Sequence, residues 1–201
     1  MNWLLKSISF VFHPIIMPLL GVIFYFSKSP RFIPRDVIEA KIISLTILTI
    51  ILPILLYFLL KTIGKTKSIY LKTTKERIIP LLLNIIICIL IVIRVLPSNQ
   101  IIELYFFFIG ILISNIVCLV LAMLKFKASI HMIAIAGIIM FALSISLHFG
   151  KNLNGSLALL FLIAGAIATS RLHLKAHTNV ELIFGFCIGL FPQLLVLSYW
   201  L

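Results

Sequence analysis

Seven runs of almost unbroken apolar residues follow one another along this chain, separated by short polar breaks. Runs of about 18 or more apolar residues are long enough to cross the hydrocarbon core of a bilayer as helices. A transmembrane barrel would instead alternate over ~10-residue segments, and the chain shows no such alternation. The pattern predicts an all-α, polytopic transmembrane helical bundle. Its segments run from about Trp3 to Phe26, Ile42 to Leu60, Ile78 to Leu96, Ile101 to Leu124, Ser129 to Phe149, Ser156 to Thr169 and Asn179 to Leu201. The first carries His13, Pro14 and Pro18. Two prolines four apart remove helix hydrogen bonds and predict a kink or break. Counting that segment as a full or a partial span gives seven crossings or six. His13 then sits in a polar pocket or is satisfied by a freed carbonyl. Lys6 ahead of an apolar run looks like a signal peptide, but no small-x-small cleavage site follows, so the segment is read as retained. Residues 1–201 are read as one transmembrane domain.

With 63% of 201 residues hydrophobic, against roughly 45–50% in soluble domains, the polar residues can be read one by one. Net charge is +12 with five acidic residues. The basic residues sit in short loops beside the spans, where they meet anionic lipid headgroups and set topology. There is no basic domain and no base-stacking platform, which argues against a nucleic-acid partner. Cys88, Cys118 and Cys187 lie inside apolar runs without a CxxC pair and read as small buried hydrophobes.

Three polar stretches stand out: 61–77, 125–131 and 170–181. Each successive pair is separated by two crossings, so all three emerge on one membrane face. In the last, His177 and Glu181 are four apart and share a helix face. A carboxylate that accepts one ring N–H fixes the histidine tautomer and makes the other nitrogen a better nucleophile or base. Arg171 lies six before His177, on a different face of any continuous helix, so the chain should bend near Lys175-Ala176. An arginine fork suits the oxygens of a phosphate. Thr178-Asn179-Val180-Glu181 is also a capping box, and Lys175 reads as a snorkelling, lipid-facing lysine. In the middle stretch Ser129 and His131 open segment 5; His131 could protonate a leaving oxygen, and Ser129 equally fits a helix N-cap. The first stretch supplies Lys72, Lys75 and Arg77.

Taken in order, the three stretches resemble the three signatures of the type 2 phosphatidic acid phosphatase superfamily, over roughly residues 70 to 190. The third signature is Ser-Arg, five residues, His, three residues, Asp. Ser170-Arg171, His177 and Glu181 reproduce it with Glu for Asp, and Gly185 and Gly189 follow. The second, Pro-Ser-Gly-His, appears as Ala128-Ser129-Ile130-His131. The first, Lys, six residues, Arg-Pro, keeps Arg77, but its lysine position falls on Tyr70 and the proline comes late, at Pro80; Lys72 or Lys75 could substitute. The resemblance implies a metal-independent, cofactor-free phosphatase acting on a lipid phosphate. His177 would be the nucleophile, Glu181 its orienting partner and His131 the acid for the leaving group. Arg171, Arg77, Ser129 and Lys72 would cradle the phosphate oxygens. The Ile- and Lys-rich composition, poor in acids, suggests a bacterial source, and with it a multi-pass protein of the inner membrane.

Two rival readings remain open. His173, His177 and Glu181 would form an i, i+4, i+8 metal stripe if their helix were continuous. The departures in the first two signatures suit a protein that binds or transports a lipid phosphate without hydrolysing it. Orientation is also open. The motif face holds eleven of the seventeen Lys and Arg residues, which favours the cytoplasm, yet up to four of those eleven (Lys72, Arg77, Arg171 and Lys175) count for the site rather than for topology, while bacterial members of the superfamily usually face outward.

Overall fold

The structure, a computed structural model, describes residues 2–64 and 73–201. Eight helices account for most of them, and no strand occurs among the described residues: α1 (Asn2–Val11), α2 (Met17–Lys28), α3 (Arg35–Thr62), α4 (Thr74–Val95), α5 (Ile102–Met123), α6 (Ile130–His148), α7 (Asn154–His173) and α8 (Asn179–Leu197). Six of these, α3 to α8, are long and apolar enough to cross a membrane. The chain is an all-α, polytopic transmembrane bundle.

The expected break in segment 1 falls at His13-Pro14, between α1 and α2. Pro18 sits in the first turn of α2, where its missing N–H has no helical partner to lose. Though short, α2 joins the two ends of the bundle. His13 on its N-terminal side meets His131 at the start of α6. On its C-terminal side the Lys28 carbonyl accepts a hydrogen bond from Lys151 Nζ at 2.8 Å. The next helix starts at Arg35 rather than Ile42, because Pro34 sets its entry and an Arg35–Glu39 ion pair at 2.8 Å holds the polar first turns. Further along α3, a π-turn at Ile47–Ile51 precedes Pro53. Proline removes one ladder donor there, and the wider turn readjusts the carbonyls around the gap.

At the centre stands α6, the most buried span; α3 is the least buried. An apolar surface on every side suits a helix enclosed by others. One core cluster runs through α2 to α8, with Tyr25, Phe107, Phe108 and Phe141 among its largest fully buried side chains. The outer faces of α3 and α7 present Ile47, Ile54, Leu55, Phe58, Leu159 and Leu162, the surface expected against lipid tails.

Helices α6 and α8 pack tightly, and glycine makes the contact possible. A Cβ on Gly189 would lie 2.1 Å from the Ile133 carbonyl oxygen and 2.9 Å from Ala136 Cβ. Backbone cannot yield as a side-chain tip can. Gly189→Ala should therefore separate the two helices and cost about 1–3 kcal/mol, read as a lowered unfolding midpoint of the purified protein in detergent. An unchanged midpoint would contradict this packing.

The bundle end opposite the three sequence motifs is pinned by Glu103, which is fully buried. Its Oε1 lies 2.8 Å from Arg31 Nη2 and 3.4 Å from His148 Nε2. Its Oε2 accepts a hydrogen bond from the Tyr25 hydroxyl at 3.1 Å. One carboxylate thus ties α2, the segment after it, α5 and α6. Nearby, Lys41 Nζ donates to the Val95 carbonyl and, at 2.6 Å, to Gln100 Oε1, joining α3 to the end of α4.

Candidate functional site

At the other end, α7 closes in a Schellman motif. The Lys175 N–H bonds the Leu172 carbonyl and the Ala176 N–H bonds the Arg171 carbonyl. Lys175 occupies the left-handed position, with φ of 50°, at a cost of about 1 kcal/mol for a residue other than glycine. This is the bend expected at Lys175-Ala176. It leaves Arg171 and His173 on α7 and His177 beyond it. The continuous helix required for a metal stripe of His173, His177 and Glu181 is therefore interrupted, and that reading is corrected. Among the described residues no three His, Cys, Asp or Glu side chains are grouped to hold a metal.

From the bend the chain turns straight into α8. Thr178 caps it, with its Oγ1 accepting from the Glu181 N–H at 3.3 Å. Glu181 Oε2 accepts twice, from the Thr178 N–H at 3.1 Å and from His177 Nδ1–H at 2.8 Å. The capping box and the His–Glu pair are thus the same carboxylate. With Nδ1 committed to Glu181, Nε2 is the unprotonated nitrogen. Burial, and then the charges of Arg77 and Lys127, push the His177 pKa down to about 4 against the pull of Glu181. His177 is therefore a neutral imidazole through the physiological range.

The start of α6 rests on this pair. The Ser129 N–H donates to the Glu181 carbonyl at 3.1 Å. A Cβ on Gly185 would lie 2.7 Å from the Ser129 carbonyl oxygen, so glycine permits the contact. Ser129 sits at the N-cap position of α6, but its side chain makes no capping bond. Its hydroxyl is fully buried and has no hydrogen-bond partner among the described residues. Arg77, in the first turns of α4, is buried and donates from Nη1 to the Ala128 carbonyl at 2.8 Å. Lys127 Nζ donates to the Ala176 carbonyl at 3.0 Å. Burial and the neighbouring Arg77 and Arg171 charges lower the Lys127 pKa, while Glu181 opposes the shift.

On the far side of α7, Arg171 Nη1 donates to Ser9 Oγ at 3.3 Å. His131 Nε2–H donates to the Ser9 carbonyl at 3.2 Å. The ring of His13 stands edge-on to His131 with centroids 5.6 Å apart. Arg77, residues 127–131 and residues 171–181 thus converge on one end of the bundle, as the span count requires. A surface cavity of about 400 Å³ opens there, lined by Lys127, Leu172, Lys175, Ala176, His177, Thr178 and Glu181. His177 and Glu181 line it; Arg77, Ser129, His131 and Arg171 do not. Lys175 lines it too and is exposed, placed there by the left-handed turn. Lys72 lies outside the described residues, and Lys75 is exposed.

Three participants escape a reading by motif. Ser9 is a lone hydroxyl in a short apolar helix with no spacing to mark it. Lys127 is two residues from Ser129 and was legible from the shared face. His13 was visible as a polar residue beside a proline, but nothing in the sequence pairs it with His131. Comparison with family models, curated proteins and solved structures finds no match for this chain.

Proposed function

We propose that this protein is an integral-membrane phosphatase that removes a phosphoryl group from a lipid phosphomonoester or diphosphate through a phosphohistidine at His177. The observation that carries the reading is the His177–Glu181 pair at 2.8 Å, beside a cavity on the cationic end of the bundle. An imidazole held by a carboxylate at Nδ1 presents a nucleophilic Nε2. The surrounding cations favour a dianion, and the bilayer places lipid headgroups at this depth.

In the reaction the Nε2 lone pair attacks phosphorus. The N–P bond forms as the bond to the leaving oxygen breaks, and His131, protonated at Nδ1 while its Nε2–H stays on the Ser9 carbonyl, gives that oxygen the Nδ1 proton. Glu181 balances the charge growing on the His177 ring. Water then attacks phosphorus on the opposite side of the N–P bond and loses a proton to His131. Inorganic phosphate leaves and His177 is restored. Arg77, Arg171 and Lys127, with the unspent Ser129 hydroxyl, are the groups that would take up negative charge on the equatorial oxygens. The chemistry needs neither metal nor cofactor. A bacterial inner membrane is the proposed location.

Purified protein incubated with short-chain phosphatidic acid, phosphatidylglycerol phosphate and a polyprenyl diphosphate tests the reading. Release of inorganic phosphate that vanadate blocks and chelator spares is the expected result. Vanadate binding without release from any of the three would instead identify a lipid-phosphate binding protein, the reading favoured by the hydrogen bonds that already engage Arg77 and His131.

The pH profile carries a further prediction. Burial disfavours the imidazolium, so His177 stays neutral as pH falls from its ordinary 6.5 to about 4. The acid limb of kcat/KM should lie near pH 4, well below that of an exposed histidine. The unfolded chain binds a proton on this residue in the same window and the folded one does not. Folding stability should therefore decline as pH drops from 6.5 towards 4. A limb near pH 6.5 with stability flat across that range would contradict the burial of His177.

A further inference from the structure

The helix preceding the first break, α1, is too short to cross a bilayer. Trp3 and Phe10 are 76% and 81% exposed, whereas Ser9 is buried on its inner side. Apolar residues outward and one hydroxyl inward fit a helix lying at the membrane boundary. The inward hydroxyl reaches Ser170 and Arg171 of α7, and the same residue's carbonyl reaches His131 of α6.

The proton order at Ser9 follows from its neighbours. Ser170 Oγ donates its single proton to the Leu5 carbonyl at 2.5 Å. The 2.6 Å contact between Ser9 Oγ and Ser170 Oγ therefore has Ser9 as donor. That leaves the Ser9 lone pairs to accept from Arg171 Nη1 at 3.3 Å. The Ser9 carbonyl independently accepts the His131 Nε2–H at 3.2 Å. The chain Leu5 carbonyl, Ser170, Ser9, Arg171 runs in one direction, so each bond polarises the next. A hydroxyl at this point fixes the guanidinium fork, while the same residue's backbone holds His131 by its Nε2–H and leaves Nδ1 as the nitrogen that gives and takes the proton.

We infer that Ser9 is a positioning residue of the phosphate site, contributed by the N-terminal helix: its hydroxyl orients Arg171 and its carbonyl orients His131. The inference rests on the phosphatase reading and adds to it a part of the chain outside the motif-bearing region. α1 is then a component of the site wall.

The test compares full-length wild type, Ser9→Ala, Ser9→Thr, Arg171→Ala and the Ser9→Ala/Arg171→Ala double variant, purified in one detergent. Each is assayed on the three lipid phosphates named above, for vanadate inhibition, and for its unfolding midpoint. Ser9→Ala should lower kcat/KM and weaken vanadate inhibition by about tenfold, the scale of one hydrogen bond to a charged group. Ser9→Thr, which keeps the hydroxyl, should recover most of both. In the Arg171→Ala background, Ser9→Ala should change neither further, since the group it orients is gone. If Ser9→Ala does not fold, Ser9→Cys, which keeps the volume and weakens the bond, should show the same coupling to Arg171. The inference is overturned if wild type is active and Ser9→Ala matches it within twofold. It is also overturned if the loss is the same with and without Arg171. A wild type that neither releases phosphate nor binds vanadate overturns the phosphatase reading and this inference together.

Discussion

Under the proposed mechanism, replacing His177 by alanine lowers phosphate release on the order of 10³-fold or more, because no other group supplies the attacking nitrogen. The fold should survive. Glu181 keeps its capping bond from the Thr178 N–H, and the Ser129 N–H still meets the Glu181 carbonyl, so the start of α8 and its contact with α6 do not depend on the imidazole. Turnover of the three lipid phosphates, read beside the unfolding midpoint and vanadate binding, separates lost chemistry from lost structure. Vanadate binding should persist in part, since Arg77, Arg171 and Lys127 remain. Activity in His177→Ala equal to wild type would end the phosphohistidine account.

The largest effect on stability is expected at the opposite end of the bundle. Arg31→Ala leaves the fully buried Glu103 carboxylate without its arginine. Breaking a buried ion pair from one side costs several kcal/mol, because an uncompensated charge stays behind. Arg31 is 47% exposed, which screens the pair, so a loss of about 2–4 kcal/mol is expected. Adding Glu103→Gln removes the stranded charge and still accepts from the Tyr25 hydroxyl. The double variant should regain most of the loss. Unfolding midpoints of the two single variants and the double close the cycle. Arg31→Ala within about 0.5 kcal/mol of wild type would mean that His148 and Tyr25 suffice for Glu103.

The helical bundle was legible because lipid leaves a chain few options. Length and apolarity fix the spans, and counting crossings puts Arg77, Ser129 and His177 at one end before any contact is known. The His177–Glu181 pair was legible for a local reason, a spacing of four on one face. What the sequence does not display is set by tertiary geometry. Glu103 looks like a first-turn acid of an apolar helix, and its partners Arg31, Tyr25 and His148 come from three other parts of the chain. Ser9 is one hydroxyl among many in apolar helices, and only the packing of α1 on α7 gives it Arg171. The place of Lys175 beside His177 depends on one left-handed residue, φ of 50°, where glycine would ordinarily mark the turn. The same turn breaks the spacing that made His173, His177 and Glu181 resemble a metal stripe.

The central claim is a covalent bond between His177 and phosphorus. Its direct measurement is to mix the protein with a radiolabelled lipid phosphate that it turns over, quench within the first turnovers into alkali, where phosphohistidine survives, and map the label by peptide mass spectrometry. The account predicts label on His177, absent from His177→Ala and chased away by unlabelled substrate. Phosphate release with no label on the protein, or with label on another residue, would contradict it.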